Sequence, residues 1–179
     1  MAVGDNERYV SRPWLVYLVG AGPAAAWHGW EQPVYAPFDG LVVAASDGWP
    51  DREDVNLIRD GLRPLVFPPK LVDGDIRPFA GNYVIIQSGG VAMLLAHLRC
   101  GSLTVRAGHR LVREQRLGAV GNSGNSLAPH LHVQAMDGPD PLRARIIPFR
   151  LRQYEHWARG SWEEVNLGIP APGERIRVR

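Results

Sequence analysis

The sequence predicts a mainly β protein with a compact antiparallel β-sandwich or barrel-like core, and three observations carry that prediction. Short apolar runs alternate with turn residues at regular spacing between residues 33 and 136. The chain contains 20 glycines and 15 prolines, which favour frequent turns. Helical periodicity is almost absent. With 179 residues, of which 45% are hydrophobic, the chain is long enough to bury one core.

The first 30 residues are expected to form an apolar N-terminal segment that packs on the core. Residues 13–26 follow Arg8 and Arg12 and end in small residues, which mimics a secretory signal peptide. Two glycines and Pro23 interrupt this stretch, and it is too short to span a bilayer. We therefore expect no cleaved signal and no transmembrane helix, which leaves the bacterial cytoplasm and the cell envelope both open as locations.

The core itself is expected over residues 31–150. The Asp39-Gly40 pair lies between two apolar runs and predicts a hairpin there. Residues 48–80 interrupt the strand rhythm with five prolines and one candidate helix from Asp51 to Arg59, so they are expected to form a long loop insertion. Residues 151–179 are expected to form a C-terminal hairpin and tail within the same domain.

Composition and two tryptophans limit the kinds of ligand and cross-link that the chain is expected to have. Trp157 and Trp162 flank the turn of the expected C-terminal hairpin, where a cross-strand pair is favoured over a sugar-stacking site. The net charge is only +2, from 20 basic and 18 acidic residues, so a nucleic-acid partner is not expected. The single cysteine, Cys100, excludes an intramolecular disulfide and a cysteine-rich zinc cluster.

The strongest functional signal is a glycine-rich loop, residues 121–129, that leads into His130-Leu131-His132. Side chains alternate between the two faces of a strand, so His130 and His132 are expected on one face with Leu131 in the core. Two neutral imidazoles on one face are suited to binding zinc or to transferring protons. The pair predicts half of such a site.

Four segments, in this order, extend that signal: residues 32–43, 81–86, 95–98, and 118–124 continuing to 128–132. Together they resemble the lysostaphin/LytM-type zinc metallopeptidases, which cut peptide cross-links in bacterial cell walls. The resemblance covers roughly residues 30–137. It implies the β-sheet core of that family, a duplicated hybrid motif, with a groove on one face that binds a peptide or a peptidoglycan cross-link.

The resemblance also implies roles for individual residues. It makes His132 a zinc ligand, and it makes His97 and His130 the acid/base pair that flanks the metal-bound water. Zinc in such a site lowers the pKa of its water to about 7 and polarises the scissile carbonyl. Four residues are placed along the substrate groove: Asn82, Asn122, Ser123 and Asn125.

One part of the family pattern is missing. The two other zinc ligands belong to an upstream His-x-x-x-Asp motif, and residues 19–26 contain neither His nor Asp. The upstream candidates His28, Glu31 and Asp5 do not match its spacing. By the resemblance, the missing pair is expected to precede Met1 or to have been lost. One ligand alone cannot hold a catalytic zinc ion.

Three functions therefore remain open from the sequence. The first is a peptidoglycan endopeptidase whose metal site is completed. The second is a non-catalytic relative that binds cell-wall peptide or a partner protein through the same groove, with the histidines surviving from an ancestral site. The third and weakest is a phosphoryl carrier of the sugar-permease IIA type, whose sheet also brings two histidines together.

Overall fold

The computed structural model describes residues 10–177 except 12 and 14, and the chain separates into two compact units. The first unit ends at Ile146 and the second begins at Ile147. Asp5, Arg8 and Arg12 lie outside the described residues. The expectation of one domain stays a prediction.

The described residues are mainly β with antiparallel pairing throughout, as the sequence predicts. The described part of the first unit contains nine strands: β1 (Gly22–Pro23), β2 (Pro33–Tyr35), β3 (Gly40–Ser46), β4 (Asp54–Val55), β5 (Asn82–Ser88), β6 (Val91–Leu98), β7 (Arg110–Leu111), β8 (Arg116–Ala119) and β9 (His132–Met136). Its helices are α1 (Leu15–Val19), α2 (Leu57–Val66) and α3 (Arg77–Ala80), with a 3-10 turn at Ala24–Ala26. None of the helices in the described part of the chain is long and apolar enough to cross a membrane.

A five-stranded sheet in the order β7-β3-β5-β6-β9 forms the centre of the first unit. Separate two-stranded sheets pair β2 with β8 and β1 with β4. Within the described residues the central sheet has two edges, at β7 and β9, so it is an open sheet and not a closed barrel.

Strand pairing contradicts one predicted hairpin. β3 pairs with β5 and β7, whereas β2 pairs with β8, so the hairpin predicted at Asp39-Gly40 is wrong. The Asp39 carboxylate accepts a hydrogen bond from the backbone N–H of Arg113 at 2.6 Å, which ties this turn to a distant segment. The sequence signal marked a real turn, but the turn joins two different sheets.

The core lies on both faces of β5 and β6. Val84, Ile86 and Leu95 are buried on one face, and Ile85 and Leu94 on the other. Burial on both faces explains why these strands are continuous apolar runs in the sequence and do not alternate. The second face carries one cluster of buried residues: Ile76, Ala80, Ile85, Ala92, Leu94, Ala96 and Met136.

The insertion over residues 48–80 holds β4, α2 and α3. Its main helix begins at Leu57, so the helix predicted from Asp51 to Arg59 lies several residues too early. The reason is the N-cap: the Asn56 side chain accepts a hydrogen bond from the Arg59 N–H at 2.8 Å.

The second unit is a three-stranded sheet of β10 (Leu151–Ala158), β11 (Ser161–Gly168) and β12 (Ile176–Arg177). Trp157 lies directly opposite Trp162, with ring centroids 5.3 Å apart, so the predicted cross-strand pair is confirmed. The Arg177 guanidinium covers the Trp162 ring at 4.4 Å from its centroid.

Candidate functional site

Three histidines from two segments of the chain converge in one groove. His97 lies near the end of β6, His130 lies in the loop before β9, and His132 is the first residue of β9. The ring centroid of His97 is 4.8 Å from that of His130 and 5.9 Å from that of His132. All three line a cavity of about 550 Å³. The structure thus brings together the three histidines that the sequence selected.

A β-bulge turns His97 into this groove. Tyr83 pairs with Ala96 and Asn82 pairs with Leu98, so His97 is an extra residue with no opposite partner. Its φ of 61° is left-handed, a conformation that histidine adopts more readily than most residues do. Ala96 lies opposite His132 in the sheet, so strict alternation would place the His97 side chain on the other face. The bulge removes that conflict.

A loop, and not a strand, positions His130. β9 begins only at His132, and Leu131 is half-buried rather than buried as predicted. The imidazole Nδ1 of His130 lies 2.7 Å from the Ala128 carbonyl oxygen. Both His130 and His132 still line the groove. Strand alternation explains the orientation of His132 and the residues after it, but not that of His130, which precedes the strand.

Backbone carbonyls fix the tautomers of two of the histidines. Nδ1 of His97 lies 2.9 Å from the Ser123 carbonyl oxygen, and Nδ1 of His130 makes the contact with Ala128. A carbonyl oxygen can only accept, so each Nδ1 carries the hydrogen in the neutral ring. Nε2 of each ring is then left with its lone pair, ready to accept a proton or bind a cation.

Burial keeps these two rings neutral. Removal from water and, to a smaller extent, the neighbouring His130 together lower the pKa of His97 to about 4. Burial also lowers the pKa of His130 below its ordinary value. Both Nε2 atoms are therefore unprotonated at neutral pH.

The remainder of the groove is uncharged. Leu94 and Ala96 of β6 and the Gln134 side chain of β9 lie on the same sheet face as His132. The other lining residues are Leu71, Ile76, Phe79, Ala80, Asn125, Leu127, Pro141 and Leu142. As far as the chain is described, no Asp, Glu, Lys or Arg lines this groove. Such a surface favours an uncharged or apolar ligand segment.

Of the four residues predicted along the groove, Asn125 is exposed and lines it. Asn82 is fully buried: its Oδ1 accepts from the Trp49 N–H at 2.7 Å, and its Nδ2 donates to the Trp49 and Leu98 carbonyls at 2.8 and 3.0 Å. The Asn82 side chain is fully committed to joining the insertion to β6.

Asn122 and Ser123 are also buried and do not line the groove. The Ser123 hydroxyl donates to the Leu98 carbonyl at 2.7 Å and accepts from the Asn82 N–H at 3.0 Å. The Asn122 amide donates to the Arg52 carbonyl at 3.0 Å. These residues hold the loop whose carbonyl oxygen at Ser123 orients His97.

Asp51 is a positioning residue that the sequence interpretation missed. Its Oδ1 accepts from the Asn122 N–H at 2.6 Å, and its Oδ2 accepts from the Cys100 N–H at 2.7 Å. One carboxylate thus ties the insertion to the segments that follow β6 and β8. Its sequence neighbours carry no signal for this role, because both partners are distant along the chain.

The described residues do not fit a three-ligand zinc site. Among them, no group of three or more His, Cys, Asp or Glu side chains is placed to hold a metal ion. Of the upstream candidates, Glu31 pairs with Arg99 at 3.2 Å, and Asp5 lies outside the described residues. His132 is therefore the one expected zinc ligand that the described part of the chain supplies.

A family model matches the segment that carries the groove. Residues 71–143 match the family model described as Peptidase family M23, and this match includes His97, His130 and His132. This match agrees with the resemblance to the lysostaphin/LytM-type peptidases that the sequence motifs carry. The match spans less than half of the chain.

One curated relative and several solved structures are similar to this chain. Peptidoglycan DD-endopeptidase ShyA of Vibrio cholerae is 39% identical over 67 residues, which is 37% of this chain and only 15% of ShyA. The catalytic domain of the prophage-encoded M23 protein EnpA from Enterococcus faecalis is 18% identical with a TM-score of 0.43, covering 78% of this chain and 82% of that domain. The catalytic domain of lysostaphin from Staphylococcus simulans is 20% identical with a TM-score of 0.42, covering 70% and 79%.

Proposed function

We propose that this chain binds peptides of bacterial cell-wall peptidoglycan in the groove formed by His97, His130 and His132. The observation that carries the proposal is the convergence of these three histidines within the segment that matches peptidase family M23. The relative ShyA is named as a peptidoglycan endopeptidase, which supports the same class of ligand.

The edge of the sheet supports an extended peptide as the ligand. β9 is an edge strand, and over His132–Gln134 no described strand pairs with its outer side. An edge of this kind offers backbone donors and acceptors to an added strand. The uncharged floor at Leu94 and Ala96 would contact the small side chains of the bound peptide.

The two neutral histidines supply acid/base chemistry at one end of this groove. Each Nε2 can take a proton from a water molecule and return it to a leaving amine. Hydrolysis of an amide also requires polarisation of its carbonyl, which zinc supplies in this class when bound. Because the described residues offer His132 alone, cleavage by this chain depends on two further ligands.

A non-catalytic binding function is the second candidate, and it is supported by the fact that the described residues supply only one of the three expected zinc ligands, His132. The number of zinc ions bound per chain distinguishes the peptidase from the non-catalytic binding protein. One tightly bound zinc ion per chain after purification with added zinc would support the peptidase. Absence of bound zinc, together with retained peptide binding, would support the binding function.

The test is calorimetric binding of a cross-linked muropeptide to the full chain, with mass spectrometry of the products after incubation with zinc. His132→Ala and Asn125→Ala should weaken binding, and His109→Ala is the matched control because His109 does not line the groove. Binding that is absent, or that is equal in all variants, would overturn the proposal.

A further inference from the structure

The apolar face of α2 points to solvent and not to the core. Ile58, Leu62, Leu65 and Val66 follow i, i+4, i+7, i+8 spacing, which places them within an arc of about 100°. These side chains are 52%, 53%, 79% and 65% exposed. The buried residue of the helix is Asp60, on the opposite side. Surface helices normally bury their apolar stripe, so this stripe is available to a partner.

Neighbouring segments enlarge this apolar area. Phe67 follows the helix directly and is 73% exposed, and Leu71 and Val72 are exposed a few residues later. We define the α2 surface as the exposed apolar side chains of this insertion: Ile58, Leu62, Leu65, Val66, Phe67, Leu71 and Val72. Seven exposed apolar side chains within residues 58–72 point to an interaction site.

A cavity of about 540 Å³ adjoins this surface. Leu62, Val66 and Phe67 line its apolar side, and a second set of residues makes it charged: Arg52, Arg59, Arg63, Asp54 and Asp60. One cavity therefore combines part of the α2 surface with three guanidinium groups and two carboxylates.

The carboxylates do not satisfy all of these guanidinium groups. Asp60 pairs with Arg59 at 2.9 Å and with Arg52 at 3.4 Å, and Asp54 pairs with Arg59 at 2.9 Å. Within the described residues, Arg63 makes no ion pair, and Nε and Nη2 of Arg52 are buried with no acceptor. The cavity thus has an excess positive charge and unused donors, which an external anion would complement.

We propose that the α2 surface docks on an anionic lipid bilayer, with its apolar stripe at the acyl boundary and a lipid phosphate in the arginine cavity. A ten-residue helix is too short to span a bilayer, but an amphipathic helix with flanking basic residues suits the interface plane. A lipid phosphate supplies the acceptors that Arg52 and Arg63 lack.

Charge also argues against a second copy of this chain as the occupant. A two-fold interface uses the same patch on both copies, so it would bring two arginine cavities, each with excess positive charge, into one interface. An anionic bilayer instead attracts each basic residue near its surface. This inference does not depend on the proposed function of the groove.

The test is co-sedimentation of the full chain with phosphatidylcholine vesicles that either lack or contain roughly one third phosphatidylglycerol. We expect binding to the anionic vesicles only. The double substitution Leu65→Asp with Phe67→Asp should lower the bound fraction about tenfold, because it places charge in the apolar stripe. Arg63→Gln should lower binding several-fold and weaken its dependence on salt.

Controls in the same unit keep this test specific. Val112→Asp matches the apolar substitutions, since Val112 is 65% exposed outside the α2 surface, and Arg110→Gln matches Arg63→Gln. Circular dichroism checks that each variant folds. Equal binding to both vesicles, or equal binding by all variants, would overturn the proposal. So would stabilisation by inorganic phosphate without vesicle binding, or self-association that Leu65→Asp abolishes.

Discussion

At the scale of single residues, the site depends on the backbone conformation of His97. The sequence identified His97 as a candidate, but it could not show how the ring reaches His132. In a regular strand, the His97 side chain would lie on the sheet face opposite to that of His132. The bulge against Asn82 and Tyr83 brings it to the same side. A bulge depends on which strands pair and in what register, and short-range patterns do not contain that information.

Burial of His97 makes the stability of the protein depend on pH. The unfolded chain binds a proton at this ring near pH 6.5, whereas the folded pKa is about 4. The contribution of neutral His97 to the free energy of unfolding is therefore fully present above about pH 6.5. It decreases as the pH falls toward about 4, by at most about 1.4 kcal/mol per pH unit for one histidine.

The measurement is urea unfolding of chelator-treated protein over that pH range. His97→Asn should flatten the dependence, and asparagine tolerates the left-handed backbone at this position. His109→Asn is the control and should leave the slope unchanged. A slope that is equal in His97→Asn and in the unmodified protein would contradict the assignment.

At the scale of elements, two loops behind the groove meet through a pair of glycines. Gly81 ends α3 with a φ of 63°, and Gly124 lies in the loop before β9 with a φ of 69°. A Cβ at Gly124 would lie 2.3 Å from the Gly81 nitrogen and 2.7 Å from the Phe79 oxygen. Both neighbours are backbone atoms, so neither can rotate away.

Gly124→Ala should therefore destabilise the first unit by about 3 kcal/mol or more, through steric overlap and backbone strain together. Gly101→Ala is a matched control, since Gly101 has a φ of 74° but nothing within 4 Å of the added Cβ. The control should cost about 1 kcal/mol, the strain alone. Denaturant unfolding measures the free energy of unfolding of both variants. An equal decrease in the two would show that the close contact between the loops does not require a glycine at position 124.

Element prediction succeeded where the partners are neighbours in sequence. The turn at Ser88-Gly89-Gly90 joins β5 to β6, and it is one of the turns between short apolar runs on which the prediction of a mainly β protein rests. It failed at Asp39-Gly40, because β3 pairs with strands far along the chain. The start of α2 was also placed too early, because the choice among possible caps depends on Asn56 and its contacts.

At the scale of the whole molecule, the chain divides where secondary structure stops. Residues 147–150 have no helix or strand between the last contacts of the first unit and the start of β10. Phe149 and Arg150 are exposed there. The sequence predicts the start of the C-terminal hairpin at residue 151, close to this division, but it assigns the hairpin to the same domain, because a boundary between compact units depends on contacts and not on composition.

Limited trypsin digestion should therefore cut first after Arg150, because proteases select exposed segments without regular backbone hydrogen bonds. Mass spectrometry of the earliest fragments identifies the site. Arg99, next to β6 in the sheeted part of the first unit, serves as the internal comparison. First cleavage within the first unit would contradict this boundary, and resistance of residues 147–150 would favour the single-domain prediction.

The long-range ties behind the groove also determine when it can assemble during folding. Asn82 meets Ser123 across 41 residues, and Asp51 meets Asn122 across 71. Closing loops of that length lowers the chain entropy before any stabilising contact has formed, so folding that depends on such pairings is slow. The β5–β6 hairpin can form early, but His97 acquires its carbonyl partner only once the segment around Ser123 has docked. We therefore expect the groove to form last, after most of the strands of the first unit have paired.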